Sequence, residues 1–193
     1  MAKPIRIVAL AGSLRKDSFN KKLIQIAVKA ATAAGAEVNY LDLRDYPLPI
    51  FDQDLEAASG LPEPAKKLKQ IFVESDGFLW SCPEYNSSIT AVLKNTIDWV
   101  SRPAPGEPSL AAFTGKVASL MSASPGGLGG LRGLVTVRSI LGNIGVIVLP
   151  DQIAVPKAYD AFAPDGSLKD AKMQAGIEGL GRGLVECLKK HKP

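Results

Sequence analysis

Three stretches rich in glycine and serine hold the residues whose types could bind or transform something. The first is Gly12-Ser13-Leu14-Arg15-Lys16-Asp17-Ser18-Phe19-Asn20. It contains neither G-x-x-x-x-G-K nor G-x-G-x-x-G, yet it offers what a phosphate monoester needs. Gly12 permits close backbone approach, Ser13 and Ser18 carry hydroxyls, Arg15 carries a guanidinium fork, and a helix beginning after Ser18 would add free N–H groups. The same residues would also make a plain turn, with Ser18 as helix cap and Arg15 in solvent. The second stretch is Pro83-Glu84-Tyr85-Asn86-Ser87-Ser88. Its proline stiffens the backbone, Tyr85 presents a ring, and Asn86 with the loop amides can hydrogen-bond the polar edge of a flat heterocycle. Read otherwise, it is a turn with a helix cap at Ser87 or Ser88. The third stretch, Ser122-Ala123-Ser124-Pro125-Gly126-Gly127-Leu128-Gly129-Gly130, has too few reactive side chains for acid–base chemistry. It suits close backbone approach to a ligand, or a flexible connector.

The elements around these stretches alternate between strand-like and helix-like patterns, the signature of an α/β fold. Ile5–Leu10 is an apolar run broken only by Arg6, as expected of a parallel strand covered on both faces. Phe19, Leu23, Ala27, Ala30, Ala31 and Ala34 then fall on one helical stripe, and Gly35 is placed to end it. Val38–Leu43 reads as a second strand and Asp45–Asp54 as a loop. A helix opened by Pro62 and Pro64 runs to about Ser75. Gly77–Ser81 is the third strand, Ile89–Val100 the third helix, Lys116–Ser122 the fourth strand, Leu131–Leu141 the fourth helix and Val146–Leu149 the fifth strand. A last helix covers roughly Asp170–Lys190, where Gly176, Gly179, Gly181 and Gly183 weaken it by about 1 kcal/mol each relative to Ala, so packing must hold it. Right-handed crossovers then give a doubly wound five-stranded parallel sheet of order 2-1-3-4-5, which binds ligands outside the carboxyl ends of its strands. All three stretches lie at that end.

A chain of 193 residues suits one domain spanning 1–193. Its 46% hydrophobic and 22% charged residues are ordinary globular usage. The net charge of +4 is spread over helix faces (Lys21, Lys22, Lys29; Lys66, Lys67, Lys69) with no aromatic cluster to stack bases, so no nucleic-acid partner is expected. The uncharged run Ser139–Pro150 falls far short of the roughly 20 apolar residues that cross a bilayer. Lys3, Arg6 and Ala9-Leu10-Ala11 imitate a secretory leader, but the run reads better as the first strand. Cys82 and Cys187 have no metal or redox spacing, which fits a reducing, cytoplasmic setting. His191 is the only histidine and sits near the C-terminus, which excludes histidine-dependent triads and histidine-rich metal sites.

Gly12-Ser13-x-Arg15-x-x-Ser18-x-Asn20, Pro83-Glu84-Tyr85-Asn86, Leu93-Lys94-Asn95-x-Ile97-Asp98-Trp99 and the Gly126-Gly127 turn together resemble the NADPH-dependent FMN reductase family, with its flavodoxin-like quinone and chromate reductases. The likeness runs from Ile5 to about Val155; the segment after Pro156 carries no diagnostic motif. It implies that Ser13, Arg15, Ser18 and Asn20 hold the FMN phosphate. Pro83, Glu84, Tyr85 and Asn86 would line the isoalloxazine, and Ser122, Ser124, Gly126 and Gly127 its pyrimidine side. FMN is expected over FAD because nothing resembles an adenylate-binding segment. The implied cycle is hydride transfer from NADPH or NADH to flavin N5, departure of the nicotinamide, then two-electron reduction of a quinone or chromate at the same face. No catalytic side chain is demanded of the protein. Tyr85 would pack beside nicotinamide or quinone, and Arg102 would draw small oxyanions, in its own subunit or a neighbour's, or else merely neutralise a helix end. Lys94, Asn95, Asp98 and Trp99 would serve packing and subunit contact. A homotetramer built from dimers is expected, with Ile97, Trp99 and Val100 more apolar surface than one helix face needs. A flavodoxin-type carrier, or a flavin-binding regulatory protein without fast turnover, is the alternative.

Overall fold

Continuous apolar runs become central strands, and stripes at helical spacing cover them. The computed structural model describes residues 4–191, so Lys3 of the leader-like segment lies outside the described residues. In chain order the elements are β1 (Ile5–Ala11), α1 (Phe19–Ala33), β2 (Ala36–Leu41), a 3-10 turn (Leu43–Asp45), α2 (Gln53–Ser59), α3 (Glu63–Val73), β3 (Gly77–Ser81), β4 (Glu84–Tyr85), β5 (Ser88–Ile89), α4 (Ala91–Val100), β6 (Val117–Ala123), α5 (Leu131–Asn143), β7 (Ile147–Val155), α6 (Ala158–Ala161) and α7 (Ala171–His191). The main sheet is parallel with order β2-β1-β3-β6-β7. This is the expected flavodoxin-like order.

Alternation along the strands splits the core into two layers. Ile5, Ile7, Ala9 and Ala11 of β1 pack with Leu23 and Ala27 of α1 and Ile177, Leu184 and Leu188 of α7. Val8 and Leu10 face the other way, toward Leu68 and Phe72 of α3, Leu93 and Ile97 of α4 and Leu134 and Val137 of α5. Gly35 follows α1 with φ of 97°, and its N–H bonds to Thr32 O at 2.9 Å, so the expected stop is where the helix ends.

The structure adds elements with no period to reveal them. Asp42 accepts the Arg44 N–H and turns the chain into the 3-10 segment, ending β2 at Leu41 rather than Leu43. Asp52 caps α2 through the N–H groups of Asp54 and Leu55, inside and beyond the segment expected as a loop; α2 buries no residue. The third helix begins at Ala91, after a small hairpin, and not at Ile89. The fifth strand runs on to Val155 because the register shifts from Ala118↔Val148 to Leu120↔Gln152, letting Pro150 stand in a bulge. Arg138 satisfies the freed carbonyls, reaching Val148 O at 3.3 Å and Leu149 O at 2.8 Å.

The glycines of α7 are not equivalent. A Cβ on Gly181 would collide with the backbone of α1 at Ala27 O, whereas Gly179 and Gly183 face open space. Gly181→Ala should therefore destabilise by about 1–3 kcal/mol through forced overpacking, while Gly179→Ala and Gly183→Ala should each stabilise by up to about 1 kcal/mol through helix propensity. Urea unfolding midpoints check all three; a Gly181→Ala variant as stable as the parent would remove the close crossing.

Candidate functional site

The parallel ladder does not stop at the strand ends, and this brings the three stretches side by side. Gly12 N–H donates to Ser81 O (2.9 Å), Cys82 N–H to Met121 O (2.8 Å) and Ser124 N–H to Val155 O (3.1 Å). Thr90, which caps α4 through Leu93 N–H, donates its hydroxyl to Gly12 O at 2.7 Å. The cap of this helix is thus Thr90, not Ser87 or Ser88. Asn20 is 4% exposed. Its Nδ2 donates to Ala123 O (2.8 Å), and its Oδ1 accepts from Ser81 Oγ (2.8 Å) and Ala123 N–H (3.0 Å). It ties α1 to the ends of β3 and β6.

In the first stretch Ser13 N–H donates to Ala11 O at 2.7 Å, and Ser13 Oγ accepts from Arg15 N–H at 3.3 Å. The backbone under Arg15 is fixed while its exposed guanidinium makes no hydrogen bond or ion pair among the described residues. Ser18 stands at the N-cap of α1 with φ −78° and ψ 128°, yet its hydroxyl makes no cap bond, and the first turn holds no acidic residue. The leading N–H groups of α1 have no intrahelical acceptor. A free cation, a free hydroxyl and an uncapped helix end suit an anion.

In the second stretch β4 and β5 form a hairpin, Glu84 opposite Ile89 and Tyr85 opposite Ser88. Asn86 and Ser87 carry φ of 51° and 64°, the left-handed pair of a two-residue hairpin turn. Pro83 is buried, whereas Asn86 is exposed and Tyr85 is 57% exposed. Glu84 turns toward α5 instead, with Oε1 accepting from Arg132 Nε (2.9 Å) and Oε2 from Gly133 N–H (3.0 Å). Burial would raise its carboxyl pKa, but the Gly133 N–H and the Arg132 side chain outweigh it and hold it below the ordinary value.

In the third stretch Gly126 N–H donates to Ser124 Oγ at 3.2 Å. Gly126 O in turn accepts from Gly129 N–H (3.3 Å) and Lys157 N–H (3.2 Å), and Ala158 N–H donates to Ser124 O (3.1 Å). Gly126 and Gly127 are exposed. Ser122 is fully buried beneath Gly130, with no partner for its hydroxyl among the described residues. The Lys157–Ala158 anchor was invisible in the sequence, since it is built from main-chain atoms.

Residues 5–160 match the model of the NADPH-dependent FMN reductase family. The chain belongs to that family. An NAD(P)H:quinone oxidoreductase of Solanum tuberosum is 40% identical over 185 residues, covering 91% of this chain and 89% of the relative. An NAD(P)H-dependent FMN reductase of Pseudomonas aeruginosa is 32% identical over 179 residues, covering 92% of each. The solved structure of FerB, a flavoenzyme NAD(P)H:(acceptor) oxidoreductase from Paracoccus denitrificans, superposes with a TM-score of 0.81 at 31% identity, covering 98% of this chain and all of the other. The cofactor of this FMN reductase family and its nicotinamide donor fit the free cation, free hydroxyl and open loops found here.

Not every expected residue of this family member comes to the site. Arg102 lies beyond the far end of α4 from Thr90, about 15 Å of helix away at 1.5 Å per residue. Its Nε donates to Glu56 at 2.8 Å, and its guanidinium lies 5.3 Å from the Phe51 ring. Within one chain it does not face the acceptor side. Ile97, Trp99 and Val100 are buried by their own chain, so their apolar surplus is no sign of a subunit contact. Trp99 Nε1 and Asn95 Nδ2 both donate to Pro49 O at 2.8 Å, clasping the loop before α2, and Lys94 pairs with Asp98 at 2.8 Å. Cys82 is fully buried, which pushes its thiol far above the ordinary value and leaves it unreactive. Among the described residues no three His, Cys, Asp or Glu side chains gather to hold a metal, and no helix is long and apolar enough to cross a membrane.

Proposed function

We propose that this chain is an NAD(P)H-dependent oxidoreductase that binds FMN and reduces quinones, donor and acceptor using one open face in turn. The observation that carries it is the convergence of the unpaired Arg15 and uncapped α1 end with the exposed hairpin and the Gly126–Gly127 turn. When bound, FMN supplies hydride acceptance and two-electron delivery. Ser13, Arg15, Ser18 and the first amides of α1 would hold its phosphate. Asn20, its oxygen already engaged, would act by keeping α1 against β3 and β6. Pro83, Tyr85 and the Asn86 turn would line the ring, and Ser122, Ser124, Gly126 and Gly127 its pyrimidine side through backbone groups that stabilise developing negative charge. Quinone as acceptor is supported by the relatives named for it.

Chromate as a further acceptor and a tetramer built from dimers belong to the same proposal, and they depend on each other. Glu56 holds Arg102 within the chain, so Arg102 would reach a dianion only across a subunit contact.

The test is anaerobic bleaching of the FMN-loaded protein by NAD(P)H, followed by steady-state oxidation with menadione. Parallel double-reciprocal lines are expected from one shared face; intersecting lines would overturn it. Tyr85→Ala should change the acceptor KM severalfold while leaving FMN affinity within about twofold, since its ring is 57% exposed on the open face.

A further inference from the structure

We propose that Glu84 is a positioning residue that joins the second and third loops and sets the charge beside the ring. The inference rests on the FMN-binding reading above. The N-cap position of α5 is Gly130, which has no side chain to cap the helix, and the first turn holds no acidic residue. Glu84 supplies both from another element. One carboxylate oxygen accepts the Gly133 N–H at 3.0 Å, and the other meets Arg132 Nη2 at 2.7 Å. The side chain of Glu84 is 9% exposed and that of Arg132 59%, so the carboxylate is enclosed and its cationic partner lies on the surface.

The seat for Glu84 is made tight by Gly133, with Gly130 in ordinary contact beside it. A Cβ on Gly133 would come within 3.2 Å of Glu84 Cβ and of Ser88 O, and one on Gly130 within 3.7 Å of Glu84 Cβ. The hairpin carrying Tyr85 and Asn86 therefore rests on the first turn of α5. That turn continues directly from the Gly126–Gly130 stretch, so one carboxylate fixes two walls of the site at once.

The charges at this seat leave a net excess of about half a positive charge. The N-terminus of α5 carries roughly half a positive charge, Arg132 a full one, and Glu84 a full negative one. FMN held here would gain one negative charge near them on taking up two electrons and one proton. Removing the charge of Glu84 must favour the reduced form, and removing that of Arg132 must disfavour it.

Glu84→Gln keeps an acceptor for Gly133 N–H while deleting the charge, and Arg132→Gln keeps the Glu84 cap while deleting the opposite charge. Apoprotein is reconstituted with FMN, and the midpoint potential is measured alongside FMN affinity for the oxidised form. Glu84→Gln should raise the ratio of reduced to oxidised FMN affinity about threefold, an upward shift of about 14 mV at 29.6 mV per tenfold for two electrons. Arg132→Gln should lower it by a similar factor. A merely structural role would move both variants in one direction or neither, and either result overturns the assignment. Should Glu84→Gln fail to fold, Arg132→Gln alone decides: a downward shift supports it, an upward or absent shift overturns it. Wild-type protein that takes up no FMN would sink the functional reading and this assignment together, whereas bound FMN with unmoved potentials sinks only this one.

Discussion

Arg15→Ala should weaken FMN binding by roughly one to two orders of magnitude, the about 1.5–3 kcal/mol that a hydrogen bond to a charged group contributes. The first loop explains why the loss should be so direct. Ser13 is pinned by its bond to Ala11 O and itself accepts the Arg15 N–H, so the loop backbone is set without help from the guanidinium. Deleting that group costs the folded chain no hydrogen bond or ion pair among the described residues. Ser18→Ala should cost less, because it removes one uncharged donor to the phosphate and no cation. Its hydroxyl makes no cap bond in the chain, so the substitution should leave α1 in place. Riboflavin, which lacks the phosphate, separates this from general damage to the site: its affinity should be unchanged in both variants. Titration of apoprotein by flavin fluorescence quenching reads both ligands. Wild-type FMN affinity in both variants, or equal losses for FMN and riboflavin, would remove the phosphate from this loop.

The strands and the five long helices that flank them were legible because burial on both faces or on one stripe leaves a period in the sequence. Phe78-Leu79-Trp80 could be little else than a central strand, and all three are fully buried. Elements without a period stayed hidden. Helix α2 buries nothing and is announced only by Asp52, and the hairpin turn falls on Asn86-Ser87, without the glycine that marks such turns. Residue roles were hardest to read where an intrachain partner is distant in sequence. Asn20 looks like a phosphate ligand in its motif, but its partner Ala123 lies 103 residues away, and Glu84 looks like part of the ring wall while Gly133, 49 residues on, takes its carboxylate. Trp99 misled in the same manner. Its cover is an aperiodic loop at Pro49 and Phe51, whose ring meets Trp99 edge-on at 5.0 Å, so an apolar surplus on α4 read as a surface for another subunit.

The third loop makes a prediction of opposite sign at neighbouring glycines. Gly129 has φ of 63°, and a Cβ there would stand 2.6 Å from the carbonyl carbon of Val155 and 2.8 Å from Pro156 N. Those are backbone atoms at the end of β7, held by Ser124 N–H on Val155 O, so they cannot step aside as a side chain would. The left-handed conformation costs an alanine roughly 1–2 kcal/mol, and forced overpacking adds roughly 1–3 kcal/mol. Gly129→Ala should then lower the melting temperature of the apoprotein by roughly 5–15 °C, at the 2–4 °C per kcal/mol usual for a chain of this size. At Gly127 nothing lies within 4 Å of the added Cβ and the backbone needs no glycine. Gly127→Ala should leave the melting temperature unchanged or raise it slightly, by removing freedom from the unfolded chain. Its cost should appear only with the ligand, because the open space over Gly127 is where a ring would approach the backbone, and FMN affinity should fall while stability holds. Equal melting temperatures for the two variants would show that the loop yields at Gly129, and wild-type FMN affinity in Gly127→Ala would move the ring away from this turn.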